Sequence, residues 1–154
     1  MSASVEAPLF TATGETYVRD AMAKTICSAQ TEDTIRDIAQ MMAANDTGFV
    51  PIVDGDSAVG VVTDRDIVLR CVRAGHTEAM ATKAWEIMSK PVIAVYAADT
   101  LDHAGNIMAK HQVRRLPVID RGKLVGVLSF GNLVQALHGE GAAQFAALGV
   151  TRGA

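Results

Sequence analysis

The chain repeats itself at a fixed offset of 66 residues, and no other feature limits its possible folds as tightly. Met22 falls on Met88, Asp33-Thr34 on Asp99-Thr100, Met42-Ala43 on Met108-Ala109, Pro51 on Pro117, and Gly60-Val61 on Gly126-Val127. Residues 20–70 align with 86–136 without a gap, and 12 of the 51 pairs are identical. Ordinary composition gives roughly 3 by chance. A solenoid needs at least ~3 repeats, so two copies sharing one core are expected instead. With 154 residues the chain suffices for one compact domain or for two mutually dependent halves.

Each copy opens on a β-branched run, Thr25-Ile26-Cys27 or Pro91 to Val95, which suits a strand. Asp33 and Asp99 occupy expected N-cap positions. Ile35, Ile38, Ala39 and Met42 follow in one copy, and Leu101, Ala104, Gly105 and Met108 in the other, each set forming one apolar helical face. Next come Val50 to Asp54 and Leu116 to Asp120, then Gly55-Asp56 or Arg121-Gly122, then Val59 to Val62 and Leu124 to Leu128, which predicts a hairpin in each copy. A second helix is predicted from about Thr63 through Ile67, Val68 and Cys71, and from about Ser129 through Leu133, Val134 and Leu137.

The unit is thus β-α-β-β-α. A small sheet with helices on one face cannot bury both alone, so the expected fold class is α/β (α+β), with two tandem repeats packed face to face in pseudo-twofold symmetry. The expected divisions are a flexible N-terminal segment at 1–16, the first repeat at 17–73, a connector at 74–84, the second repeat at 85–138 and a tail at 139–154. Gly75 is a candidate helix stop, and Phe145 and Leu148 are candidates to dock on a partner.

Composition narrows the function. A net charge of -3, a pI near 5.7 and 5% aromatic residues provide neither a basic field nor stacking surface for nucleic acid. No stretch approaches the ~18 apolar residues of a membrane span, and the first residues lack a signal peptide, so a cytoplasmic protein is expected. Cys27 and Cys71 stand far apart and indicate neither a disulfide nor a thiolate metal site; they read as reduced thiols. His76, His103, His111 and His138 fall in no metal-ligating or catalytic spacing, and no Walker or G-x-G-x-x-G loop occurs. No catalytic residue, metal site or resident cofactor is therefore expected.

The chemistry concentrates in Gly60-Val61-Val62-Thr63-Asp64-Arg65-Asp66 and its counterpart, Gly126-Val127-Leu128-Ser129-Phe130-Gly131-Asn132. Glycine at a strand end permits close backbone approach. Thr63 or Ser129 at the strand-to-helix junction puts a hydroxyl and helical N–H groups where an anion is welcome. One turn later Asp66 offers two acceptor oxygens to a vicinal diol such as ribose, and Asn132 offers one acceptor and one donor. The same spacing also reads as a helix-capping box, in which these side chains satisfy the helix's own first N–H groups.

The two motifs, in identical register and each preceded by a hydrophobic-Pro-hydrophobic strand and an aspartate, resemble the cystathionine-β-synthase (CBS) domain family. The likeness spans about Val18 to Leu137. It is to the paired arrangement of small stand-alone bacterial proteins and of the nucleotide-sensing modules of inosine-monophosphate dehydrogenase and AMP-activated protein kinase. The resemblance implies two clefts between the copies, one or both of which would take an adenine nucleotide (AMP, ADP or ATP) as a regulatory ligand. One would hold Thr63 and Asp66 against Val92, Ile93 and Val113; its twin would hold Ser129 and Asn132 against Ile26, Cys27 and Thr47. Arg114 and Arg115, neighbours in an extended segment, are candidate phosphate partners serving one cleft each. Gly48 and Phe49 hold the corresponding places in the first copy, and Asn132 replaces an aspartate, so the clefts should not be equivalent. The implied function is a homodimeric sensor acting in trans on a separate regulated protein. The alternatives are a purely structural dimerisation module, or a binder of another adenosyl ligand such as S-adenosylmethionine.

Overall fold

In a computed structural model, residues 15–75 and 78–138 are described; His76, Phe145, Leu148 and nearly all of the two terminal segments lie outside them. The elements run α1 (Val18–Ala21), β1 (Ala29–Gln30), α2 (Ile35–Asn45), β2 (Phe49–Asp54), β3 (Ser57–Thr63) and α3 (Asp64–Asp66). A π-helical stretch, Ile67–Val72, extends α3, and a 3-10 turn, Ala79–Ala81, leads to the second copy. There α4 (Ala84–Ile87), β4 (Val95–Tyr96), α5 (Leu101–His111), β5 (Arg115–Asp120), β6 (Lys123–Ser129) and α6 (Phe130–His138) follow. Two three-stranded sheets result, ordered β1-β2-β3 and β4-β5-β6, each with a parallel first pair and an antiparallel hairpin. The repeated motif is therefore realised as two tandem β-α-β-β-α units related by a pseudo-twofold axis.

Three local expectations are corrected. The N-caps of α2 and α5 are Thr34 and Thr100, not Asp33 and Asp99. Thr34 Oγ1 accepts the Asp37 N–H at 3.2 Å while Asp37 Oδ2 accepts the Thr34 N–H at 3.0 Å, and the Thr34 bonds hold the Asp37 carboxyl below its usual range. Asp33 and Asp99 instead accept the N–H groups of Gln30 and Tyr96, both at 2.7 Å, and so clamp the strand-to-helix turn. The β-branched runs, in turn, stay almost wholly outside the sheets: β1 is Ala29–Gln30, beyond Thr25-Ile26-Cys27, and of Pro91 to Val95 only Val95 is paired. Ala23 bridges Val127 in the second sheet and Ala29 pairs with Ile52 in the first, so the intervening residues cross between sheets and bond to neither. Ala39, placed on the buried helical face by spacing, is exposed.

The short leading helices are exchanged between the halves. Val18 of α1 is fully buried in the second core among Leu101, Leu116 and Leu133. Its N–H donates to Asp99 O at 2.9 Å, and the Ala23 and Val127 backbones bond reciprocally at 2.9 and 3.1 Å. By the same geometry, Ala84 and Ile87 of α4 complete the first core with Ile35, Ile38 and Val62, and Ser89 pairs with Val61. The motif glycines make this possible: a Cβ on Gly60 would lie 2.7 Å from Met88 Sδ, and one on Gly126 would lie 2.6 Å from Met22 Sδ and 2.8 Å from Ala23 O. The close approach at these strands is thus to the exchanged segment. No helix among the described residues is long and apolar enough to cross a membrane.

Candidate ligand cavities

Two cavities open between the copies, one of about 630 Å3 and one of about 260 Å3. Thr63, Asp66, Ile93, Val113, Arg114 and Arg115 all line the larger. Ile26, Cys27, Thr47, Ser129 and Asn132 line the smaller, together with Arg115. Val92 is half-buried and belongs to neither wall, and Gly60 is buried beneath the exchanged helix. Arg115 therefore faces both cavities, whereas alternation along an extended segment gives one arginine to each.

At the base of the larger cavity the capping geometry is complete. Thr63 Oγ1 accepts the Asp66 N–H at 3.1 Å, and Asp66 Oδ2 accepts the Thr63 N–H at 2.9 Å. Asp66 is only 8% exposed, and its Oδ1 lies 3.6 Å from Arg70 Nε. The Asp64 N–H donates to Gly48 O at 3.1 Å and the Arg65 N–H to Asp64 Oδ1 at 2.8 Å. The first helical N–H groups, expected to receive an anion, are thus already engaged, which leaves the arginines as the anion-binding groups. In the smaller cavity Ser129 Oγ accepts the Asn132 N–H at 3.1 Å and donates to Asn132 Oδ1 at 2.6 Å. Burial pushes the Cys27 thiol up, which favours its neutral form in the cavity wall.

Sequence reasoning missed Asp64, Arg65, Phe49 and Gln112, which also line the larger cavity. A Cβ on Gly48 would fall 2.5 Å from Asp64 Oδ2, so Gly48 is what makes room for this carboxylate. At the matching places of the second copy stand Arg114 and Phe130, whose backbones bond at 2.7 Å as those of Gly48 and Asp64 do. The signal lay in the repeat itself, where positions 48 and 64 depart from their partners together. The charges differ accordingly: Arg65, Arg114 and Arg115 line the larger cavity with Asp64 and Asp66, while among the described residues Arg115 alone is charged around the smaller.

The family model of the CBS domain matches residues 18–73 and again 84–139, and so covers both copies. The chain belongs to the CBS-domain family. The CBS domain-containing protein YhcV of Bacillus subtilis is 34% identical over 116 residues, 75% of this chain and 81% of that protein. The crystal structure of Hypoxic Response Protein I with two coordinated zinc ions matches at 33% identity and a TM-score of 0.74, over 79% of this chain and 99% of that one. No group of three or more His, Cys, Asp and Glu that could hold a metal ion occurs among the described residues here. The CBS-domain pair of protein MJ0100, solved with 5'-methylthioadenosine and S-adenosyl-L-methionine, shares the fold at 24% identity and a TM-score of 0.72, covering 82% of this chain and 99% of that one.

Proposed function

We propose that this CBS pair is a non-catalytic sensor that binds an adenine nucleotide, AMP, ADP or ATP, in the larger cavity. One observation carries the reading: a cavity of about 630 Å3 is lined by apolar strand residues together with the buried carboxylate of Asp66 and the guanidinium groups of Arg114 and Arg115. Its volume suits a small organic ligand, for which pockets of roughly 300–1,000 Å3 are usual. The adenine lies against Ile93, Val113 and the prolines Pro91 and Pro117, and Arg114 and Arg115 take the phosphate. Asp66 keeps its Oδ2 on the cap and turns Oδ1 to a ribose hydroxyl, since Arg70 at 3.6 Å is too distant for a good hydrogen bond. A ligand touching both copies biases their relative angle, and this is allosteric to the extent that the two angles differ in affinity. The regulated protein is proposed to be a separate chain, reached in trans.

A thermal-shift screen tests the reading. AMP, ADP or ATP at a hundredfold excess over its dissociation constant is expected to stabilise the fold by about 2.7 kcal/mol through mass action. A shift with S-adenosylmethionine alone would give the cavity to another adenosyl ligand, and no shift with any of them would leave a structural module.

Homodimerisation is proposed from the π-helical face, where Val68 and Val72 remain 56% and 63% exposed beside a half-exposed Leu69, while Cys71 on the same stretch is buried. Burying such a face against a second copy removes apolar surface from water. Sedimentation at micromolar concentration is expected to show a dimer, and the double variant Val68→Lys/Val72→Lys a monomer; a monomeric wild type would refute this.

A further inference from the structure

The wall between the cavities is made by two residues that line both of them, Phe49 and Arg115. They are repeat partners: each is the first residue of its hairpin strand, and they sit across the ladder from Thr63 and Ser129 respectively. A fully symmetric pair would carry a guanidinium from each side. Here one side is a phenyl ring, so a single charge serves two cavities. No hydrogen bond or ion pair is found for the Arg115 side chain among the described residues, and the smaller cavity has no other charged group in its wall.

We infer that Arg115 is shared between the cavities, and that a phosphate bound in one withdraws it from the other, so each chain holds one phosphorylated nucleotide at a time. This rests on the nucleotide reading of the larger cavity. A guanidinium forked onto one phosphate has its donors committed and its charge largely neutralised. A second phosphate in the smaller cavity would then be desolvated without a counter-charge and would also face the first phosphate across Phe49. The larger cavity fills first because Arg65 and Arg114 join Arg115 in its wall, against Asp64 and Asp66, and because it is more than twice as large. The coupling runs both ways, as linkage requires. It also makes the pair respond to the charge of the nucleotide rather than only to its base, because an uncharged nucleoside makes no demand on Arg115.

Calorimetric titrations with AMP and with adenosine, on the full-length wild type and on Arg115→Gln, test this. Wild type is expected to take one AMP per chain, with any second event at least about tenfold weaker than the second adenosine event, within the usual 5- to 150-fold range of coupling. Adenosine is expected to reach two per chain. In Arg115→Gln the first AMP weakens by about tenfold or more, and the gap between AMP and adenosine at the second cavity closes. Two AMP molecules binding as independently as two adenosines would overturn the shared arginine while leaving the nucleotide reading intact. One adenosine per chain would overturn it too, by showing that the smaller cavity excludes on size. Binding of neither ligand would overturn the underlying reading and this inference with it.

Discussion

Val18→Asp is expected to unfold the second repeat, although Val18 precedes the first. The side chain has no exposed surface and packs among Leu101, Leu116 and Leu133. A carboxylate there has no cationic partner within the core it enters, and it either remains charged at a large desolvation cost or takes up a proton and still lacks a full set of bonds. The loss is on the order of 4 kcal/mol or more, against a total stability of ~5–15 kcal/mol for an ordinary domain. Because each core contains a helix from the other half, the loss should spread to the whole chain as one cooperative transition. Urea denaturation followed by circular dichroism checks this, with Lys24→Asp on the exposed surface of the same segment as the control. The control is expected to change stability by less than about 0.5 kcal/mol. A Val18→Asp midpoint equal to that of wild type would mean that the exchanged helix does not hold the second core.

Asp66→Ala is expected to cost adenine-nucleotide affinity about ten- to a hundredfold, the equivalent of the ~1.5–3 kcal/mol of a hydrogen bond to a charged group. It also removes the acceptor of the Thr63 N–H, so the ligand-free protein should lose a further ~0.5–2 kcal/mol of stability. Asp66→Asn separates the two effects. Asn132 occupies the same place in the second copy and accepts the Ser129 N–H through Oδ1 at 3.3 Å, so an amide at position 66 can keep the cap while giving up the charge. Calorimetric titration beside ligand-free melting temperatures gives the answer. Unchanged affinity in both variants, with stability lowered only in Asp66→Ala, would make Asp66 a helix cap and nothing more.

Much of the candidate site was legible because the repeat aligns Thr63 with Ser129 and Asp66 with Asn132 at strand-to-helix junctions, where capping and ligand contact call for the same side chains. What the pattern could not separate was a cap from a ligand contact, since both need an oxygen at that spacing. Asp64 escaped notice because it breaks the repeat, and its room in the cavity depends on the missing Cβ of Gly48, sixteen residues earlier.

By itself the sequence determined the two copies, the β-α-β-β-α order within each and most of the residues each would bury, Ala39 excepted, because periodicity and offset are local properties of the chain; the leading helices α1 and α4 it did not reveal. Which copy each leading helix completes was decided only in three dimensions. Val18 and Ala84 are apolar in either arrangement, and periodicity names the face to be buried but not the neighbour that covers it. The same holds for Arg115. Its place at the head of β5 could be inferred from the chain, but its position in the wall of both cavities follows from the packing of one sheet against the other across the pseudo-twofold axis.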